Sequence, residues 1–162
     1  KWSQLGVTMP TDTSDEIVRI SRQNNSGTYS YFRDTVLGKE GSYKLGSNDL
    51  HGSKDVVDTV EKTPGAIGYS GLAYANDHVK LVPVSTNGGA PVAPTTVSAV
   101  DGSYPIARPL FMYTAGDPQG QVKDYLDWIL SPTGQNIIEA KGYAPVVLGA
   151  GAPAGSSAGA GN

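Results

Sequence analysis

The sequence predicts an α/β layer architecture, and three observations carry that reading. Residues 17–37 run as strand, loop and helix in succession, and a second helix followed by a short apolar strand occupies residues 53–69. Residues 119–130 carry an apolar stripe at helical spacing. Strands that alternate with helices bury their apolar faces by layering helices over a sheet.

The first strand is expected at residues 17–20, where Ile17-Val18-Arg19-Ile20 follows a polar stretch, residues 11–16, suited to a loop. The loop 21–25 then leads into a helix starting near Ser26, with Tyr29, Phe32, Val36 and Leu37 on one face and Gly38 as its stop. A second helix is expected over residues 53–61, with Val56, Val57 and Val60 at helical spacing and Ser53 as N-cap ahead of Asp55; Thr63-Pro64-Gly65 ends it. Residues 66–69 (Ala-Ile-Gly-Tyr) suit a buried strand whose backbone approaches another element closely at its glycine. Residues 81–84 read as a further short strand, 87–94 as a Gly/Pro loop, and 95–100 as a short helix ending at Gly102.

Residues 104–113 are expected to be extended, because Pro105 and Pro109 disfavour helix in themselves and in the residues before them. In the helix 119–130, Val122, Tyr125, Leu126 and Ile129 share a face, while Lys123, Asp124 and Asp127 lie mostly elsewhere. Ser131-Pro132 restarts a helix to about Lys141, with Ser as cap, Pro in the first turn and Gly142 as stop. After Val147 the composition turns to Gly, Ala, Pro and Ser, which reads as a flexible linker or loose terminus.

Composition narrows the function classes. The chain has 162 residues, 38% of them hydrophobic and 17% charged, with 21 glycines and 11 prolines, a turn-rich chain of modest charge. A formal net charge of −3 gives no general attraction for nucleic acid or anionic membranes, so a bound anion must be held by local geometry. With no cysteine, disulfides, thiolate nucleophiles and cysteine zinc sites are excluded. His51 and His78 are too far apart in sequence to read as a metal-binding pair, and no Ser/His/Asp constellation is visible, so neither metal, cofactor nor catalytic residue is expected. No apolar run approaches the ~20 residues that span a bilayer. The chain opens on Lys1-Trp2-Ser3-Gln4 without an initiator methionine, so its true N-terminus is expected to have been lost or processed away.

The segment 22–28, Arg-Gln-Asn-Asn-Ser-Gly-Thr, carries the functional signal. A tetrahedral oxyanion needs a dense set of donors, supplied by exposed amides at a helix N-terminus, hydroxyls and a guanidinium. Ser26 and Thr28 offer hydroxyls, Gly27 lets the backbone approach without a Cβ, and Arg22 at the strand end can fold back to offer paired N–H donors. The bland alternative is an ordinary capped helix. Neither a Walker phosphate loop nor a Gly-x-Gly-x-x-Gly fingerprint is present.

Five motifs in order raise this reading above the single segment. Arg22-x-x-x-Ser26-Gly27-Thr28 followed by Tyr31-Phe32 and Val36-Leu37-Gly38, then Thr63-Pro64-Gly65-Ala66-Ile67-Gly68-Tyr69, then Tyr104-Pro105-Ile106-Ala107-Arg108-Pro109-Leu110, then Leu130-Ser131-Pro132-Thr133-Gly134-Gln135, and finally Gly142-Tyr143-Ala144-Pro145 together resemble the bacterial phosphate-binding proteins of ABC phosphate importers. Trp2-Ser3-Gln4-Leu5 resembles that family's short Trp-containing stretch, and the resemblance extends to about Val147. It implies a type II periplasmic-binding-protein-like α/β fold, of which residues 1–103 are the second lobe, incomplete at its start. Residues 104–147 would then be the crossing strand and C-terminal helices of the first lobe, and 148–162 a flexible tail. The N-terminal lobe, which would carry further Ser/Thr donors and an Asp that accepts from protonated phosphate, is expected to lie outside this sequence.

The resemblance further implies that Arg22, Ser26, Gly27 and Thr28 bind inorganic phosphate in an interlobe cleft and that the protein, not an enzyme, passes it to a membrane ABC importer permease from the periplasm or cell exterior. Another oxyanion such as sulfate or molybdate, a phosphate sensor or tethered module, and, last, a phosphatase are the alternatives. Arg108 could face the cleft or be a structural ion-pair partner, and Ser53 could add donors to the anion or simply cap its helix. Trp128 and Tyr69, Tyr74 and Tyr125 are expected in the core or between lobes. Without the first lobe, helix 119–130 is expected to show an apolar patch, and this piece alone to bind phosphate weakly.

Overall fold

The computed structural model describes residues 1–146; the Gly/Ala-rich tail expected at 148–162 lies outside the described residues. At its centre is a three-stranded parallel sheet of order β2-β1-β3, with β1 at Val18–Arg22, β2 at Asn48–Leu50 and β3 at Ala66–Gly68. Ile20, Ser21 and Arg22 stand opposite Asn48, Asp49 and Leu50, and Val18, Arg19 and Ile20 opposite Ala66, Ile67 and Gly68. All three strands therefore finish at one edge. The chain leaves β1 for one neighbour and later crosses to the other, and in open α/β sheets ligands bind outside the carboxyl ends of strands at such reversals.

Strand β1 begins one residue later and ends two later than the Ile-Val-Arg-Ile run suggests, because pairing with β2 extends it. Arg22 is thereby the last residue of a strand rather than part of a loop. Strand β2 had no sequence signal, since Asn and Asp are poor strand residues. Its order comes from docking beside β1. The strand expected at 81–84 does not form: only Val84 pairs, in an isolated antiparallel bridge with Val92, and Leu81 and Val82 are exposed.

Helix α1, Gly27–Phe32, is capped by Ser26, whose extended backbone (φ −87°, ψ 130°) turns its hydroxyl back onto the Thr28 amide. It continues as a π-helical turn, Arg33–Leu37, before Gly38 at φ 81° ends it. The wider turn rotates Val36 and Leu37 off the apolar stripe, and both are exposed. Tyr29 and Phe32 remain inward, where Phe32 stacks on Tyr69 at 4.1 Å between centroids and Tyr29 meets Tyr43 at 4.6 Å.

Helix α2, Ser53–Lys62, packs on the sheet through Val56 and Val57, which with Ile20 are the buried hydrophobic side chains among the described residues. Strand β3 comes close to it because Gly68 has no side chain: a Cβ there would lie 3.0 Å from Val56 and 3.1 Å from both Val60 and the Ile20 carbonyl oxygen. With so small a core each methyl counts, and Ile20→Val is expected to cost about 1 kcal/mol, read from the urea midpoint.

Helix α3, Thr96–Val100, is capped reciprocally by Thr95 and Ser98. The extended stretch after it reaches back to α1, where the Tyr31 hydroxyl donates to the Ala107 carbonyl at 2.7 Å. Helices α4, Gly120–Leu130, and α5, Pro132–Ala140, then pack against each other. Their junction explains the Ser-Pro-Thr-Gly-Gln motif. Ser131 caps α5 through the Gly134 amide, Pro132 occupies its first position, and the buried Gln135 amide donates to the Ile129 carbonyl at 2.8 Å while accepting from the Val146 amide at 2.6 Å.

An apolar face stands open on this C-terminal portion. Leu110, Phe111, Met112 and Tyr113 are largely exposed, Tyr113 at 90%, as are Val122, Tyr125 and Trp128 on α4. Tyr74, Tyr125 and Trp128, expected in a core or between lobes, are thus not core residues of this chain, whereas Tyr69 is partly covered by the aromatic stack. Among the described residues no helix is long and apolar enough to cross a membrane.

Candidate functional site

Around the carboxyl edge of the sheet the fold gathers the sequence-predicted residues. Arg22, closing β1, reaches across to the start of α2: its Nε and Nη2 donate to the His51 carbonyl at 3.1 and 2.7 Å, and its Nη1 donates to the Ser53 hydroxyl at 2.8 Å. The backbone under it is held from β3, because the Tyr69 hydroxyl accepts from the Arg22 amide at 3.3 Å and shares a 2.7 Å bond with the Ser21 hydroxyl.

Residues 23–25 make a tight turn, in which the Gln23 amide donates to the Leu50 carbonyl and the Ser26 amide to the Gln23 carbonyl, both at 3.0 Å. The turn delivers Ser26, Gly27 and Thr28 to the start of α1. Ser26 Oγ accepts from the Thr28 amide at 3.2 Å, so its hydroxyl hydrogen stays available, while the Gly27 amide has no partner among the described residues. Beside them a polar recess of about 380 Å³ is lined by Gln23, Asn24, Asn25, Tyr29 and Asp49.

Arg108 comes to the same place from the far end of the sequence. Its Nη2 is the nearest atom to a Cβ built on Gly27, at 3.5 Å, and its guanidinium lies 5.4 Å from the centre of the Tyr31 ring. Tyr31 is one helical turn beyond Gly27, and its hydroxyl bond to Ala107 fixes the main chain that carries Arg108. Neither Arg22 nor Arg108 forms an ion pair among the described residues, so the structural ion-pair alternative for Arg108 is not what the fold builds. The Arg108 guanidinium beside the open Gly27 amide, with Arg22 at the end of the neighbouring strand, offers donors of the kind an oxyanion takes.

Ser53 departs from its expected role. The N-cap of α2 is Gly52, and the capping acceptor is Asp55, whose carboxylate takes the Gly52 amide at 3.0 Å. Ser53 stands one position inside the helix and its hydroxyl serves Arg22 instead. Sequence reasoning also missed Tyr69, Tyr31 and the His51 carbonyl; the Gly-Tyr ending of the Ala-Ile-Gly-Tyr stretch was a signal for the first alone.

The aromatic layer beneath α1 keeps the site firm. Tyr43 donates to the Tyr29 carbonyl at 3.0 Å, and burial, with Tyr69 alongside, pushes its phenol well above the usual range, so it remains a neutral donor. Burial likewise raises Tyr104, with Tyr31 contributing. Among the described residues no cluster of three His, Cys, Asp or Glu could hold a metal ion.

Known proteins resemble this chain in sequence and fold. The family model of the PBP superfamily domain matches residues 1–133. The Phosphate-binding protein PstS of Pseudomonas aeruginosa is 34% identical over 151 residues, covering 90% of this chain and 46% of that protein, and PstS of Bacillus subtilis is 31% identical over 146 residues, covering 90% and 45%. This chain therefore spans about half the length of the curated relatives it matches. Among solved structures, a Clostridium perfringens protein crystallised with bound phosphate superposes with a TM-score of 0.74 at 30% identity, over 90% of this chain and 56% of that one. A phosphate-binding protein of a phosphate ABC transporter from Streptococcus pneumoniae gives a TM-score of 0.64 at 26% identity, over 78% and 50%. The architecture is the type II periplasmic-binding-protein-like α/β fold expected from the motifs, in a chain covering about half of such a protein. A parallel sheet with its donors gathered at the carboxyl edge, matched along 133 of its residues, makes this chain a member of the PBP superfamily.

Proposed function

We propose that this chain supplies one wall of an inorganic phosphate site, with Arg22, Ser26, Gly27 and Thr28 as ligands and Arg108 as a further one, and that the complete protein delivers phosphate to an ABC-type importer. The observation that carries the reading is Arg108: a guanidinium 81 residues downstream sits 3.5 Å from the Cβ position of Gly27, with no carboxylate partner among the described residues. Arg108 is exposed, so its charge is free to answer an anion brought beside the unpartnered Gly27 amide. The bound phosphate of the Clostridium perfringens structure supports the identity of that anion.

In this reading residues 1–103 are the second lobe and residues 104–147 return toward a first lobe that completes an interlobe cleft. The protein works outside the cytoplasm, binds without covalent chemistry and meets the importer permease rather than nucleic acid. Isothermal titration with phosphate tests the wall directly. Thr28→Val and Arg108→Ala are each expected to weaken binding, by about 1.5–3 kcal/mol for every charge-assisted hydrogen bond removed. Unchanged affinity in both variants would remove them from the site, and tighter binding of sulfate than phosphate would replace the proposed ligand.

A further inference from the structure

The way Arg22 is held points to something that the phosphate reading alone does not contain. A guanidinium carries five N–H donors. Three of Arg22's are committed, one from Nε and one from Nη2 to the His51 carbonyl and one from Nη1 to Ser53 Oγ. One donor is left on each terminal nitrogen, free to meet an oxygen of an anion. Both anchors are neutral, and no carboxylate lies within ion-pair distance of Arg22 among the described residues.

Ser53 is also free of other duties. Helix α2 takes its N-terminal cap from Gly52 and Asp55, so the Ser53 hydroxyl is not needed to start the helix. Its main-chain carbonyl, which accepts from Ser70 Oγ at 2.9 Å, fixes the position of the residue from β3's side.

We propose that Ser53 is the positioning residue of Arg22, and that it and the His51 carbonyl, being uncharged, aim the guanidinium at the anion with its positive charge uncompensated. A carboxylate in the same place would orient Arg22 equally well and neutralise it. The geometry thus separates orientation from charge, and the choice of serine sets the strength of the site. The inference rests on the phosphate-site reading.

Substitutions at position 53 test it, with inorganic phosphate as probe and the Gly27 amide resonance followed by NMR, which reads weak as well as tight binding. Ser53→Thr keeps the hydroxyl and is expected to stay within about twofold of the parent, whereas Ser53→Ala loses one hydrogen bond to a charged group, expected to weaken phosphate about tenfold. Ser53→Asp is the deciding variant. An acid in the first turn of α2 suits the helix dipole, so its melting temperature is expected to equal or exceed the parent's, while ion pairing to Arg22 lowers phosphate affinity by more than about tenfold.

Parent-level affinity in Ser53→Asp, with Arg22→Ala still impaired, would overturn the positioning inference and leave the phosphate site standing. Weakened binding in Ser53→Asp accompanied by a lowered melting temperature, and not rescued in Ser53→Thr, would also overturn it, as structural damage. A parent chain whose Gly27 amide does not respond to phosphate would overturn the site reading itself, and this inference with it.

Discussion

Arg22→Ala is expected to reduce phosphate affinity by about 3 kcal/mol or more, on the order of a hundredfold, with little change in folding stability. The binding loss is large because two charge-assisted donors and the charge itself disappear together. Stability is spared for a geometric reason. The acceptors left behind, the His51 carbonyl and the Ser53 hydroxyl, lie at an edge where His51 is exposed, so water can replace the lost donors. Isothermal titration beside a thermal melt separates the two quantities. Affinity within threefold of the parent would place Arg22 outside the site.

Gly134→Ala is expected to have the largest effect on folding. A Cβ at this position would lie 2.4 Å from the carbonyl oxygens of both Trp128 and Ile129 and 2.8 Å from the Ile129 carbonyl carbon. These are main-chain atoms, so no rotamer change relieves the contact, and α5 must move away from the end of α4. The shift would strain the Gln135 bonds to Ile129 and Val146 that tie the junction together. Alanine gains about 1 kcal/mol over glycine in helix propensity, but overpacking of this kind costs about 1–3 kcal/mol and broken buried hydrogen bonds add to it. The balance is a net destabilisation, measurable as a lowered urea midpoint. A variant as stable as the parent would mean that the two helices are free to separate.

The open apolar face of residues 110–113 and α4 has a plain physical consequence. Its side chains are about half or more exposed, apart from pairs such as Tyr125 on Trp128, and the packing of α4 comes mainly from α5. The sequence anticipated this face from the stripe of Val122, Tyr125, Leu126 and Ile129, though only Leu126 and Ile129 are partly covered. Periodicity reports which residues would be buried against a neighbour, not whether the neighbour is there.

What the sequence by itself determined was local and ordered. The Ser26 cap, the stop at Gly38, the restart at Ser131-Pro132 and the close approach at Gly68 all follow from residue chemistry within a few positions, and each stands in the structure. The alternation of strands and helices carried the α/β class, and the five motifs in order carried the finer fold through their resemblance to a known family. Only the tertiary structure decided what the chemistry-bearing groups touch. Strand β2 forms from Asn48, Asp49 and Leu50 because β1 offers it a free edge, and the π-turn after Phe32 removes Val36 and Leu37 from their expected stripe. Arg22 meets Ser53 across 31 residues, and Arg108 reaches Gly27 across 81. Hydrogen bonds and charges act over a few ångströms in space, whereas the patterns legible in a sequence act over a few residues along the chain, and only folding brings the two scales together.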